Sequence, residues 1–339
     1  MPLSKRSGRT VLGGLSVLSL ACLLLIAIVF HDGDEAYWPV ALAVSLPPIV
    51  YAFPSLVLLV ASGITRNRRL IALNGAALLL AAGPLMGLHW RWSTPPARGR
   101  AVRVMTWNVE KWSHGPDAVA RGVRAQHPDI VCFQEAGDYF YVSGPQGAGL
   151  IADLPEYHFV RAGEIIVASR WPVRKLAEAP LPPGQATRPA LCVSVDIGGR
   201  PCTVVAVHLL PSELERHLIH ACIPLDAYAR RFAAMRRGQD DALLPVMRAL
   251  PGPKILCGDF NAQPPATSCR RLTDIYPDAF EAAGRGYGYT LKATTPVERI
   301  DHILTSRDLT VRNCWVPSLI ASDHRAVVAD VTLPTPRSF

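Results

Sequence analysis

Several signals that identify common protein classes are missing from this sequence. It has no CxxC pair and no histidine–cysteine spacing of the kind that holds zinc. It has no internal repeat of fixed period and no low-complexity tract, which argues against a solenoid or a disordered chain. Dense basic blocks are also absent, because residues after 89 carry 29 basic and 24 acidic side chains. That weak surplus argues against a broad nucleic-acid-binding face.

Charge is scarce in the N-terminal part, where three uncharged runs span residues 11–30, 36–65 and 70–88. About 20 apolar residues suffice for a helix to cross a bilayer. The runs therefore predict three transmembrane helices, at about 11–30, 38–61 and 70–89, within an anchor of residues 1–92. The alternative for the first run is a cleaved signal peptide. Three prolines predict a kink in the second helix: Pro47, Pro48 and Pro54.

The short loops between these runs differ in charge, and this difference predicts their orientation. Basic residues precede the first run and join the second to the third: Lys5, Arg6, Arg9, Arg66, Arg68 and Arg69. The loop from His31 to Tyr37 is acidic and has neither lysine nor arginine. Because basic loops face the cytoplasm, we expect a multi-pass cell-membrane protein whose later residues are extracytoplasmic.

After a linker at residues 93–100, short apolar strands alternate with a helical pattern, which predicts an α/β layered domain over 101–335. Polar or metal-competent residues stand at the ends of these strands: Asn108, Glu135, His208, Asp259, Asn261, Asp301, Asp323 and His324. Each alone has a structural explanation, such as an Asx turn at Asp259 or a core position for His208. Their joint position at strand ends indicates a functional site.

In order along the chain, several motifs resemble the endonuclease/exonuclease/phosphatase superfamily. They are Thr106-Trp107-Asn108-Val109, Phe133-Gln134-Glu135, Ser169-Arg170-Trp171-Pro172-Val173, Val207-His208-Leu209, Gly258-Asp259-Phe260-Asn261, Arg299-Ile300-Asp301-His302-Ile303 and Ser322-Asp323-His324. The resemblance implies a four-layer α/β sandwich, in which two mostly antiparallel sheets lie face to face and are flanked by helices. It also implies a site for Mg²⁺ or Mn²⁺ at one end of the sandwich.

Roles follow from this resemblance and from the chemistry of the side chains. Glu135 is the expected metal ligand, since Mg²⁺ prefers hard oxygens, and Asn108 and Asp323 are expected to assist it. Asp259 would orient or deprotonate the attacking water, and Asn261 would position Asp259 and the phosphate. His208 and His324 would donate hydrogen bonds to phosphate oxygens, with Asp301 orienting His324.

Two assignments stay open at this point. In the alternative mechanism His324 is the base and Asp259 the orienting group. Arg170 and Arg188, together with Glu164, are expected to line the substrate site, or else to form salt bridges at strand edges.

The resemblance implies hydrolysis of a phosphoester or phosphoanhydride. A domain tethered beside the outer membrane surface reaches lipid headgroups easily, so we expect a lipid-linked phosphate or pyrophosphate as substrate. The helices followed by this domain also resemble the VanJ-like membrane proteins of bacteria, which implies the same substrate class. The alternative is a membrane-anchored, Mg²⁺-dependent nuclease, so nucleic acid is a less favoured partner, and no protein partner can be inferred. The apolar segment 209–225 predicts either a lid that enters the bilayer or a helix packed on the sandwich.

Overall fold

The N-terminal part of the computed structural model is a small helical bundle. Its helices are α1 (Lys5–Asp32), α2 (Trp38–Ser45), α3 (Ile49–Ile64) and α4 (Arg68–Leu80), and α4 continues as a π-helical turn over Ala81–Leu85. The structure describes residues 5–91, 93, 96, 99–137, 150–182, 188–212, 214 and 223–334.

The prediction of three full-length membrane-spanning helices is wrong. Within the described residues, only Gly8–Asp32 of α1 forms one helix that is long and apolar enough to cross a bilayer. Helices α2 and α3 meet those criteria only as a pair, and they are bent by 77° at the break between them. Pro47 and Pro48 lie in this break. They account for it because proline lacks the N–H that would continue the helix. The kink predicted there is present, whereas Pro54 lies inside α3.

A buried polar cluster holds the bundle together. The Asn74 side-chain amide donates to Ser16 Oγ and to Ser62 Oγ, both at 3.0 Å. These contacts join α4 to α1 and α3, and all three side chains are buried. Polar contacts of this kind hold helices together where the surroundings are apolar and water is excluded.

The rest of the described chain contains eleven strands and five further helices. The strands are β1 (Gly99–Asn108), β2 (Ile130–Gln134), β3 (His158–Ala162), β4 (Ile165–Ser169), β5 (Val173–Ala179), β6 (Ala190–Asp196), β7 (Pro201–His208), β8 (Lys254–Asp259), β9 (Asp301–Thr305), β10 (Thr310–Trp315) and β11 (Val327–Pro334). The helices are α5 (Pro116–Gln126), α6 (Leu150–Asp153), α7 (Leu225–Ala249), α8 (Thr267–Thr273) and α9 (Ala279–Ala283).

The strands form two mixed sheets. One has the order β10-β11-β1-β2-β4-β3 and the other the order β5-β6-β7-β8-β9. Each sheet has one parallel pair, β1–β2 in the first and β7–β8 in the second, and its other pairs are antiparallel. The expected pair of mostly antiparallel sheets is therefore present.

The two sheets pack face to face, and helices cover their outer faces. Val104 of β1 and Val204 of β7 belong to one apolar core, which fills the space between the sheets. A second core lies between α5 and the outer face of the first sheet. In α7, buried residues recur at the spacing of one helix face, such as Leu243, Leu244 and Met247, and they pack on the second sheet. The result is the four-layer α/β sandwich.

The first strand of the sandwich begins at Gly99 and the last ends at Pro334. The last two residues of the predicted linker are therefore part of the sheet. A lid or a packed helix was predicted for segment 209–225. Residues 213 and 215–222 of this segment lie outside the described residues.

The helical bundle packs directly on the sandwich. Arg237 of α7 forms an ion pair of 3.0 Å with Asp34, in the loop after α1. The Tyr289 hydroxyl donates to the carbonyl oxygen of Met86, which follows the π-helical turn. The sequence did not predict these contacts, because nothing in it relates the apolar helices to particular residues of the sandwich.

Candidate active site

The register of the strands brings the polar strand ends together. In the second sheet, His208 of β7 lies beside Asp259 of β8, and Asp259 lies beside Asp301 of β9. In the first sheet, β1 and β2 are parallel and end together at Asn108 and Gln134, with Glu135 next in the chain. Parallel strands end at the same edge of a sheet, so the sandwich gathers these side chains at one end.

Asp259 lies at the centre of this cluster. Its Oδ2 accepts a hydrogen bond from Asn108 Nδ2 at 3.0 Å, and its Oδ1 accepts one from the backbone N–H of Asn261 at 2.8 Å. The same Oδ2 lies 3.6 Å from His208 Nε2 and 3.9 Å from His324 Nε2. This carboxylate therefore lies between two imidazole rings. Only 1 % of Asp259 is exposed, so it is largely shielded from bulk water.

Asp301 orients the imidazole of His324. Its Oδ2 lies 2.9 Å from His324 Nδ1, which leaves Nε2 turned toward Asp259. Burial alone would lower the pKa of His324, but the carboxylates of Asp301 and Asp259 outweigh it and raise that pKa to about 10. The ring is therefore an imidazolium at neutral pH and can donate a hydrogen bond from Nε2.

His208 is oriented by a second carboxylate. Its Nδ1 lies 2.6 Å from Glu164 Oε1, and Arg188 Nε lies 2.9 Å from the same oxygen. Arg188 Nη1 is also 3.3 Å from His208 Nε2. Arg188 and Glu164 thus form an ion pair with each other and both contact His208. The order Glu164–His208–Asp259 mirrors the order Asp301–His324–Asp259 on the other side.

Glu135 reaches the cluster from the first sheet. Asn108 Nδ2 is 3.3 Å from its Oε1, which in turn lies 4.0 Å from His208 Nε2. Glu135 has a φ of +54° and Asn261 has a φ of +50°. Left-handed backbone is uncommon for residues other than glycine, and it often marks functional positions. Two predicted site residues therefore have a backbone conformation that residues other than glycine rarely adopt.

Asp323 lies at the rim of the site. Its side chain is 50 % exposed, and its Oδ1 is 4.0 Å from His324 Nε2. Partial burial raises the pKa of Asp323. Ser322, from the last of the family motifs, and Glu110, which the sequence did not single out, support this corner. Ser322 Oγ donates to the carbonyl oxygen of Asn108, and the Asp323 N–H donates to Glu110 Oε2.

Arg170 is not at the site, and its prediction as a substrate-binding residue is wrong. Its guanidinium lies over the ring of Tyr157, 5.5 Å from the ring centroid, and its backbone N–H donates to Asp129. The reason is strand direction. Because β4 runs antiparallel to β2, its last residue, Ser169, pairs with Ile130 at the start of β2. The start of β4, beside Glu164, is the end that lies at the site.

The donor groups suit a divalent cation. Carboxylate oxygens of Asp259 and Asp301 lie within 4.8 Å of one another and of His324, whose protonated ring remains a hydrogen-bond donor, and all three residues are buried. Among the described residues, Asp301 Oδ1 is buried without a hydrogen-bond partner. A buried carboxylate oxygen without a partner is costly unless a cation or water satisfies it. The expected ligands Glu135, Asn108 and Asp323 surround this group, so carboxylate oxygens predominate, as Mg²⁺ and Mn²⁺ prefer.

The fold and this acidic, histidine-containing site define a two-sheet α/β sandwich with its functional groups at one end. The model of the Endonuclease/Exonuclease/phosphatase family matches residues 105–324. The chain therefore belongs to this family of phosphoester hydrolases, which are generally dependent on divalent metal ions. No curated protein matches the sequence.

Solved structures share the fold. An endonuclease/exonuclease/phosphatase from Bacteroides vulgatus has a TM-score of 0.54 and 20% identity, with 69% of this chain and 99% of that chain covered. Truncated TDP2 of Caenorhabditis elegans has a TM-score of 0.50 and 21% identity, with 68% and 98% covered. A mannosyl-6-phosphatase of Bacteroides thetaiotaomicron has a TM-score of 0.50 and 15% identity, with 68% and 100% covered.

Proposed function

We propose that this protein is a membrane-anchored, metal-dependent hydrolase that acts on a lipid-linked phosphate or pyrophosphate at the outer face of the membrane. The observation that carries the hydrolytic part is the position of Asp259 between two imidazoles, with Glu135 alongside. Each imidazole has its own carboxylate partner. The family supplies the reaction class, and the substrate is inferred from the N-terminal helices.

In this proposal Asp259 holds or deprotonates the attacking water. Its Oδ2 is within reach of both rings, and the Asn261 N–H fixes its other oxygen at 2.8 Å. His324, an imidazolium with a pKa of about 10, donates to a phosphate oxygen, which favours Asp259 as the base. His208 donates from the other side and is held by Glu164.

Glu135, with Asn108 and Asp323, would hold Mg²⁺ or Mn²⁺, and Asp301 offers a further buried oxygen. When bound, such an ion neutralises charge on the phosphate oxygens and on the leaving group. Arg188 stands beside His208 and would add positive charge toward the substrate.

The membrane part of the proposal rests on the surface of the helical bundle. Almost all exposed large apolar side chains of the described residues lie between Val11 and Trp90, and two others are Ile223 and Ile320. Such a concentration of exposed apolar side chains marks a surface that contacts lipid or protein. Helix α1 is the apolar helix long enough to anchor it.

The orientation follows from the ends of the bundle. Asp34, at the end of α1, contacts the sandwich, whereas Arg66 and Arg68 lie at the turn between α3 and α4. Basic ends favour the cytoplasmic side, so the sandwich would lie outside. A site held against the outer membrane surface would meet lipid headgroups at high local concentration.

A substrate panel tests this proposal. Purified full-length protein with Mg²⁺ or Mn²⁺ would be assayed against a prenyl pyrophosphate, a set of phospholipids and plasmid DNA. We expect turnover of a lipid-linked phosphate or pyrophosphate. Cleavage of DNA without turnover of any lipid would favour the anchored nuclease and reject the lipid substrate. Protease accessibility in intact cells would test the orientation, and a protected sandwich would contradict it.

A further inference from the structure

A cavity of about 430 Å³ separates the N-terminal bundle from the sandwich. From the bundle, it is lined by Leu42, Val44 and Leu46, which belong to α2 and to the turn after it. From the sandwich, it is lined by Phe232, Leu291 and Ile300. About half of its lining residues are apolar, and its volume falls in the range of ligand sites.

This cavity reaches the proposed reaction centre. Asn261, whose N–H donates to Asp259 Oδ1 at 2.8 Å, lines it directly. Leu291 also lines it and forms a backbone bridge with His324. A molecule in the cavity would therefore contact residues that adjoin Asp259 and His324, the groups that we assign to water activation and to phosphate binding.

On the side of the bundle, the cavity shares a wall with a second cavity. This second cavity, of about 260 Å³, shares Val44, Leu46 and Gln263 with the first and continues to Phe30 and Leu85. Gln263 is buried, and its side-chain amide donates to the carbonyl oxygens of Val44 and Leu46 at 2.8 and 3.2 Å. These bonds hold the turn after α2 against the sandwich, so this wall of the cavity is fixed.

Four charged residues line the cavity, Glu35, Arg236, Lys292 and Glu298, and the first two are engaged within its walls. Arg236 is 2 % exposed and donates to the Leu210 carbonyl oxygen at 2.9 Å and to Ser268 Oγ at 3.1 Å. Glu35, which is also buried, accepts from the Ser268 N–H at 3.4 Å. Because protein groups already satisfy Arg236 and Glu35, these two buried charges do not need a ligand as partner.

We infer that this cavity binds the aliphatic chain of the lipid-linked substrate, with the phosphate at Asp259 and the chain leading back along α2 toward the bundle. The inference rests on the proposed function and extends it. Helix α2 then forms part of the substrate site, in addition to any role as an anchor. A chain in the cavity would contact apolar side chains of α2 and of the sandwich, beside Asn261.

Chain-length selectivity tests the inference. Leu42→Trp fills the cavity, and we expect kcat/KM for farnesyl pyrophosphate to fall about tenfold, a typical loss when an apolar pocket is blocked. The shorter isopentenyl pyrophosphate should change by less than about twofold, which also shows that the variant is folded. Leu79→Trp is the matched control, because Leu79 is 75 % exposed on α4, away from the cavity, and should leave both substrates unchanged. Equal losses on both substrates, or no loss on either, would overturn the inference.

Photo-crosslinking separates this inference from the proposed function. Full-length protein would be irradiated with an alkyl phosphate that carries a diazirine near the end of its chain. We expect label within residues 38–47, and less of it in Leu42→Trp. Label there without hydrolysis of either pyrophosphate would support the cavity and reject the lipid hydrolase. Hydrolysis with label confined to the outer faces of α1 and α3 would support the hydrolase and overturn the cavity assignment.

Discussion

Asp301 is buried in this site, and the chemistry of His324 depends on it. Its Oδ2 binds His324 Nδ1 at 2.9 Å and contributes to the raised pKa of the ring. We expect Asp301→Asn to reduce turnover by about ten- to a hundredfold, as loss of a carboxylate that orients a histidine commonly does.

The pH profile of Asp301→Asn distinguishes this role from general damage to the fold. The pKa of His324 is raised, so its imidazolium persists at neutral pH and is lost only as the pH rises through about 10. Removal of the Asp301 charge lowers that pKa, and the alkaline limb of the rate profile should move to lower pH. The exposed carboxylate of Asp226, paired with Arg230, offers a control, and Asp226→Asn should keep the wild-type profile. An unmoved alkaline limb in Asp301→Asn would reject the assigned role.

Site residues that end a strand could be predicted from the sequence. Asp259 and His208 end apolar runs, and a strand that ends in a polar residue places it at a sheet edge. The same argument does not place Arg170, because it does not tell whether the last residue of β4 lies at the same end of the sheet as the site. The part played by Glu164 was equally open, because its contact with His208 spans 44 positions of the chain.

At the scale of the elements, the close approach of β8 to β7 depends on Gly258. Its φ is +149°, and a Cβ atom there would lie 1.9 Å from the carbonyl oxygen of Val207. We expect Gly258→Ala to destabilise the fold by about 4 kcal/mol or more, because the clash is with backbone at the centre of the sheet. Thermal unfolding of the full chain in detergent micelles measures this loss.

Gly238 of α7 offers a matched control for Gly258. The nearest atom to a Cβ added there is Pro182 Cγ at 3.6 Å, which is ordinary contact. In a helix, alanine is preferred to glycine by about 0.5–1 kcal/mol, so Gly238→Ala should be neutral or stabilising. Similar melting temperatures for the two variants would contradict the packing argument for β7 and β8.

A buried ion cluster joins α9 to β9. His302 Nδ1 lies 2.7 Å from Asp278 Oδ2, and Arg299 Nη1 donates to the same oxygen at 2.9 Å. Burial lowers the pKa of His302, but Cys269 and Asp278 outweigh it and raise that pKa from 6.5 to about 10. The stabilisation from the charged ring is therefore complete below about pH 6.5 and is lost as the pH rises through about 10.

The free energy of unfolding of His302→Gln should show how much this ion cluster stabilises the fold. We expect the variant to be less stable than wild type by about 2 kcal/mol near neutral or lower pH, the usual contribution of a hydrogen bond to a charged group. The difference should shrink as the pH approaches about 10, where wild type loses the same charge. Thermal unfolding across this range measures it, and a difference that grows with pH would contradict the raised pKa.

For the whole molecule, the sequence predicted the sandwich better than the bundle. Alternating strand patterns and ordered motifs specify layers that any member of the family must form. The three uncharged runs predicted apolar helices, but hydropathy alone does not show where such a helix is interrupted. At Pro47 and Pro48 the chain bends by 77° between α2 and α3. The contact of α2 with Gln263 was also beyond prediction, since it joins positions more than two hundred residues apart.

The convergence of both sheets on Asp259 is the central claim, and metal-dependent turnover by full-length protein tests it most directly. With Mg²⁺ or Mn²⁺ present, Asp259→Asn should reduce phosphate release by about 10²- to 10⁴-fold while leaving thermal unfolding near that of wild type. Chelation of the metal should abolish the wild-type rate, and Asp241→Asn, which alters an exposed carboxylate on α7, should retain it. Full activity in Asp259→Asn, or a wild-type rate that survives chelation, would contradict the account.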